Sequence, residues 1–330
     1  MKRLFVSATV VLALCFASFT VSAKAYTSIA VFGDSLSDGG NDFIYTGGIF
    51  PPPPYAQRFT NGPTAVENLA ANLGLSLLPS ESGGTNYAYG GAETGTANYL
   101  RMRPGVPSVI NAIFSGNDTG ILAQVQSVPA GFADTGTLAV LWGGSNDLFS
   151  GLTLGLDPAS IIASAMANLS QSVGLLHGKG ARDILMPNLP NIGVTPFALG
   201  TDPAGITAFS EAFNISLHQL VDNLEFALPG LNLIEVDSFA VSNAIAANPG
   251  AYGFTNSTSP CFDGVTACSN PDEYVFWDDV HLTARANVLF GDVFAHAVPE
   301  TPAVLLMVFG LIGMVVVRRK VYSLHPNRMC

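Results

Sequence analysis

Four short runs constrain the fold of this chain more than any other feature: Ser28–Phe32, Leu138–Trp142, Asp183–Met186 and Asn232–Val236. Each is largely apolar on successive residues, and each feeds directly into a turn-forming segment. Those segments are Gly33, Gly143-Gly144-Ser145-Asn146-Asp147, Pro187-Asn188-Leu189-Pro190 and Asp237. A strand that is apolar on both faces is covered on both faces, as in a parallel sheet with helices packed above and below. The stretches between the runs supply such helices. Pro158–His177 places Ile161, Ile162, Ala165, Leu169, Val173 and Leu176 on one stripe. Ile206–Leu228 does the same with Phe209, Phe213, Leu217, Leu220, Val221, Leu224 and Phe226, and Pro229-Gly230 ends it. Strand–helix alternation of this kind predicts an α/β fold, a three-layer α/β/α sandwich around a mostly parallel, doubly wound sheet. Ligands on such sheets bind outside the carboxyl ends of the strands. Ser35 and Asn146 stand at those positions. Pro51-Pro52-Pro53-Pro54 is expected to form a stiff surface loop.

Both ends read as targeting segments. Lys2-Arg3, the uncharged apolar run Leu4–Val21 and the small residues up to Ala23-Lys24-Ala25 have the layout of a secretory signal peptide, residues 1–25. Leu14 precedes Cys15 where a lipoprotein signal would carry a small residue, so no lipid anchor is expected there. At the other end, Val298-Pro299-Glu300-Thr301-Pro302 leads into an uncharged run, Ala303–Val317, followed by Arg318-Arg319-Lys320. As a helix that run reaches about 22 Å, short of the ~30 Å hydrocarbon core. A membrane anchor with its basic cluster on the cytoplasmic side is the expectation for residues 298–320, with 321–330 a short tail.

What remains, residues 26–297, suits one large α/β domain. It carries 6 Lys/Arg against 23 Asp/Glu, which excludes a basic nucleic-acid footprint and electrostatic attraction to anionic lipid. Of the 4 cysteines, Cys15 lies in the signal and Cys330 in the tail. Cys261 and Cys268 share a Pro/Gly/Asn-rich loop, and behind an export signal they predict a local disulfide. No CxxC or HxxxH spacing exists, so neither a metal nor a cofactor is expected.

A hydroxyl nucleophile needs a base to take its proton, a group to orient that base, and donors for the oxyanion. Ser35 follows a strand end, with Gly33 allowing a tight turn. Of the 5 histidines, His177 and His218 sit in amphipathic helices as ordinary polar residues, His296 borders the tail and His325 is inside it. His281 differs, because Asp278 precedes it by three residues. On a tight turn such a carboxylate can accept the imidazole N–H and leave the other ring nitrogen facing the serine. Asp279 competes for that role, but its spacing would turn it away. Asp34 and Asp38 are expected to bond local backbone and shape the turn, and Asp147 to be structural.

Four ordered blocks carry a family resemblance: V-F-G-D-S-L-S-D-G-G-N at 31–41, G-T-N-Y-A-Y-G-G-A at 84–92, G-G-S-N-D-L at 143–148 and F-W-D-D-V-H-L-T at 276–283. Together with R-F-T-N-G-P at 58–63 they resemble the GDSL, or SGNH, hydrolases over roughly residues 29–290. The resemblance implies a flavodoxin-like SGNH fold and a serine esterase or lipase without cofactor. It makes Ser35 the nucleophile, His281 the base and Asp278 its partner. The oxyanion donors would be the Ser35 N–H, the Asn146 side-chain amide and the Gly91 N–H, five residues after Asn86, with Gly90 the alternative. Gly33-Asp34-Ser35-Leu36-Ser37 lacks the last glycine of a nucleophile elbow, which sets the α/β-hydrolases aside.

The C-terminal segment resembles a PEP-CTERM sorting signal, although Thr301 stands where that pattern has a second proline. The resemblance implies export to the surface of a Gram-negative bacterium and processing by an exosortase-type membrane protease. The expected substrate is a small-molecule or lipid ester. Polysaccharide acetyl esters are the alternative, and a non-catalytic surface-binding protein a lesser one.

Overall fold

Residues 26–298 are described by the structure, a computed structural model; the predicted signal peptide and everything from residue 299 onward lie outside the described residues. Four parallel strands form the central sheet: β1 (Ser28–Gly33), β2 (Thr137–Trp142), β3 (Asp183–Pro187) and β4 (Asn232–Val236), in that spatial order. Alternate residues along each strand enter opposite layers. On one face Ala30, Phe32, Leu141, Ile184 and Met186 pack against α3 (Ile121–Ser127), α5 (Pro158–Gly178) and α6 (Pro203–Ala227). On the other, Ile29, Val31, Val140, Trp142 and Leu185 pack against α1 (Ala65–Asn72), α7 (Ser238–Ala247) and α8 (Ala284–Ala297). The remaining longer helices are α2 (Ser108–Ser115) and α4 (Ser145–Leu154). The α/β/α layering expected from continuous apolar strands is therefore present.

The winding reverses at β1. Before reaching β2 the chain lays residues 85–89 along the opposite edge of β1. Val31 N–H donates to the Thr85 carbonyl at 3.0 Å, and Tyr87 N–H to the Val31 carbonyl at 2.7 Å. The sheet thus continues from β1 in both directions, and the carboxyl end of β1 is a topological switch point, where open α/β sheets bind ligands. Ser35 stands two residues beyond it.

Helix ends follow local chemistry. The Asp157 carboxylate caps α5 ahead of Pro158, and Asp202 caps α6 ahead of Pro203. That second cap starts α6 three residues earlier than its apolar pattern predicts. The polyproline segment lies at the surface as expected over Pro52–Pro54, while Pro51 is buried, and the Tyr55 N–H closes a turn onto the Pro52 carbonyl at 3.1 Å. This turn aims Tyr55 inward. The last strands, β5 (Asn256–Pro260) and β6 (Tyr274–Phe276), pair in parallel, and the Cys261–Cys268 disulfide closes the loop between them with S–S 2.05 Å.

Candidate active site

Gly33 ends β1 because nothing larger fits: a Cβ there would meet the Trp142 carbonyl oxygen at 2.7 Å. Its main chain is held by the Gln124 side-chain amide, which accepts from the Gly33 N–H at 2.9 Å and donates to its carbonyl at 2.8 Å. The chain then turns tightly. Ser37 and Asp38 N–H both donate to the Asp34 carbonyl, and the Asp34 carboxylate accepts the Leu36 N–H at 3.0 Å. Asp38 takes the Gly40, Asn41 and Asp42 N–H groups. Both aspartates therefore do the local backbone bonding expected of them. Ser35 is left partly exposed at the apex of the turn.

Across 246 positions of sequence, His281 Nε2 lies 2.8 Å from Ser35 Oγ. Its Nδ1 lies 2.7 Å from Asp278 Oδ2 and 2.9 Å from Oδ1. Asp278 Oδ1 also accepts the Val280 and His281 N–H groups at 2.9 and 2.8 Å, which is how a three-residue spacing brings carboxylate and ring together. His281 is 5% exposed, and the Phe59 ring packs against it with centroids 5.3 Å apart. Burial alone would raise the Asp278 carboxyl. The His281 charge and ring N–H, the Tyr55 hydroxyl and the Val280 N–H outweigh that and hold it well below the usual carboxylate range. Asp279 is turned outward and its carbonyl accepts the Phe197 N–H.

Tyr55 was not found from sequence. Its hydroxyl donates to Asp278 Oδ2 at 2.6 Å, a contact between residues 223 apart. The only local signal is the run R-F-T-N-G-P that follows it, and that run says nothing about where Tyr55 points.

Donors converge on the same space. Gly91 has φ +73°, and a Cβ there would lie 2.5 Å from Asn98 Oδ1 and 2.6 Å from Leu100 Cγ. Among the described residues neither the Gly91 N–H nor the Ser35 N–H has a hydrogen-bond acceptor. The Gly90 N–H lies instead beside the buried Asp38 and Asp42 carboxyls. Asn146, near the N-terminus of α4, gives one amide proton to the Ala92 carbonyl at 3.1 Å and keeps the second. His177, His218 and His296 stand apart: His218 Nδ1 lies 2.8 Å from Glu235, His296 Nδ1 lies 2.6 Å from the Asp292 carbonyl, and none of the three lines the cavity at Ser35. His325 lies outside the described residues.

Asp147 is structural in geometry, accepting the Thr94 hydroxyl and N–H at 2.6 and 2.9 Å. Burial lifts its carboxyl from 3.8 to about 7 against those two bonds, and Glu93 adds to the rise. The folded state thus keeps a proton that the unfolded chain releases. The stabilisation is fully present below pH ~4 and is lost as pH climbs to about 7. Thermal melts across this range are expected to show a flatter pH dependence for Asp147→Asn than for the wild type. An unchanged slope would refute the assignment.

A cavity of about 360 Å³ opens beside Ser35, Gly91, Asn146 and His281. Its walls are mainly apolar: Leu100, Phe149, Ile192, Val194, Phe197 and Ile245 supply much of the surface, and among the described residues Arg103 is the one Lys or Arg that lines it. Chemically the assembly offers a hydroxyl, a base with an oriented ring, three uncharged donors and an apolar chamber.

The sequence model of the GDSL-like lipase/acylhydrolase family matches residues 29–294. A GDSL esterase/lipase of Arabidopsis thaliana is 28% identical over 328 residues, covering 84% of this chain and 88% of that protein. Lipase 1 of Photorhabdus luminescens is 29% identical over 360 residues, covering 87% of this chain and 52% of that protein. Among solved structures, an acetylxylan esterase of Geobacillus stearothermophilus is similar with TM-score 0.45 and 15% identity, covering 84% of this chain and 96% of that one.

Proposed function

The chain belongs to the GDSL-like lipase/acylhydrolase family and is a carboxylic ester hydrolase, and we propose that it works through an acyl-serine intermediate on Ser35, on esters with an aliphatic acyl chain. The observation that carries this reading is the Ser35–His281–Asp278 hydrogen-bond chain opening onto an apolar cavity. His281 Nε2 takes the Ser35 proton as Oγ attacks the ester carbonyl. The resulting oxyanion faces the Ser35 and Gly91 N–H groups and the free amide proton of Asn146. Collapse of the tetrahedral species breaks the ester C–O bond, and His281 returns the proton to the departing alcohol. Water then repeats the sequence and releases the acid. Removing one such donor costs a hydrolase about 10²–10³ in kcat.

The cavity walls favour aliphatic acyl groups over acetyl. Each methylene buried contributes about 0.8 kcal/mol, roughly fourfold in kcat/KM. On nitrophenyl esters kcat/KM is therefore expected to climb from acetyl through butyryl to hexanoyl before levelling off. Acetyl-xylan, tributyrin and phosphatidylcholine assayed side by side place the natural class. A preference for acetyl groups would overturn the aliphatic reading and move the substrate to sugar acetates.

Export belongs to the same proposal. The basic–apolar–small pattern of residues 1–25 supports secretion, and the Cys261–Cys268 bond suits an oxidising compartment. Surface retention through residues 298–320, with processing by an exosortase-type protease, completes the proposed life history.

A further inference from the structure

Asp278 has two oxygens, and only one side of it is accounted for by the turn that carries it. Oδ1 takes the Val280 and His281 N–H groups, whereas Oδ2, the oxygen nearer His281 Nδ1, takes the Tyr55 hydroxyl. The phenol ring is gripped on several sides. Phe262 meets it edge-on with centroids 5.6 Å apart, Trp277 at 6.1 Å and Phe59 at 6.4 Å. Phe262 and Trp277 stack on each other at 5.8 Å. Phe262 is itself anchored, because its N–H donates to the Trp277 carbonyl at 2.6 Å and its neighbour Cys261 is closed onto Cys268. The phenol is thereby aimed at one carboxylate oxygen with little rotational freedom.

We propose that Tyr55 is a positioning residue for ester hydrolysis: it fixes the Asp278 carboxylate and draws charge from it, and so sets how strongly that carboxylate holds the protonated His281 ring. The proposal rests on the acyl-serine reading above. Burial, then the Asp278 charge and hydrogen bond, push the phenol far above its ordinary range, so it stays a donor at every working pH. The other charged groups acting here are Arg103 and Asp279 on Tyr55, and Asp34 on His281.

Removing the hydroxyl concentrates the Asp278 charge on the His281 ring. The protonated ring is then held more tightly by the carboxylate, so a smaller share of it is free to take the Ser35 proton near neutrality. Tyr55→Phe keeps the aromatic packing. It is expected to lower kcat/KM on a nitrophenyl ester about tenfold at pH 7, the scale of one hydrogen bond to a charged group, and to move the acid limb of the pH profile upward. In an Asp278→Asn background the same change is expected to have no further effect, because the two act as one unit. An unmoved acid limb would overturn the proposal, as would full additivity with Asp278→Asn or wild-type kcat/KM in Tyr55→Phe. Melting curves on the same samples check that the variants are folded. Failure of the acyl-serine reading has a different signature, retention of activity by Ser35→Ala.

Discussion

Replacing Ser35 by alanine is expected to lower kcat/KM for a short-chain nitrophenyl ester by about 10⁴- to 10⁶-fold, the loss seen when a hydrolase loses its serine. The size follows from how little else can take over. The only hydroxyl within hydrogen-bond reach of His281 Nε2 among the described residues is Ser35 Oγ. Ser37, two positions on, is fully buried with its hydroxyl unpartnered and packed toward Gly33. The oxyanion donors survive the substitution, so a residual rate above that in water remains. Folding is not at stake, because the Ser35 side chain is partly exposed and, among the described residues, its hydroxyl bonds only to His281. The variant should melt with the wild type, and a fluorophosphonate probe should label the wild type alone. Wild-type turnover in a folded Ser35→Ala protein would sink the mechanism.

Which parts of this site could be read before the fold was known depends on how local each contact is. The four strands were legible because parallel strands buried on both faces leave continuous apolar runs, and β4 begins and ends where its run does. His281 and Asp278 were legible because the carboxylate meets the ring within one turn. Ser35 and Asn146 stood out because each follows a strand end. The edge segment 85–89 was not legible as a strand. It is bound by main-chain atoms, which any sequence provides, and by Asn41 and Asn86 amides that read as ordinary loop polarity. Gly91 and Gly90 differ in which way two adjacent peptides face, and no sequence pattern records that. Tyr55 was lost for the same reason at longer range: its turn is local, but the Asp278 carboxylate its hydroxyl meets and the Phe262 ring against it lie more than 200 positions away. The cavity walls come from as many separate segments, so acyl length had no local signature.

Asp278→Asn is expected to cost about 10⁴ in turnover with the backbone unchanged, as an asparagine in this position costs a protease triad. The amide has two ways to sit and both fail. With its oxygen kept on the Val280 and His281 N–H groups, its NH₂ faces Tyr55 and His281 Nδ1. The phenol can rotate to accept, but the imidazole can accept only by giving up its Nδ1 proton. The remaining proton then moves to Nε2, which becomes a donor toward Ser35 Oγ and can no longer receive the serine proton. With the amide flipped, its NH₂ meets the two backbone N–H groups and leaves them buried and unpaired, at about 1–3 kcal/mol for each group so stranded. A carboxylate is the one side chain of this shape that accepts from all four donors. The pH profile separates the roles further. Because Asp278 is held well below the ordinary carboxylate range, it stays charged as activity falls on the acid side, and that limb does not report its protonation. By the same shift, the stability Asp278 contributes is complete above pH ~4 and is lost only as pH falls through its depressed value. Steady-state kinetics from pH 5 to 9 test the first statement, and melts of the wild type and Asp278→Asn carried from neutral pH down to about pH 2 test the second. A loss smaller than tenfold would mean that the His281 tautomer is fixed by something other than this carboxylate.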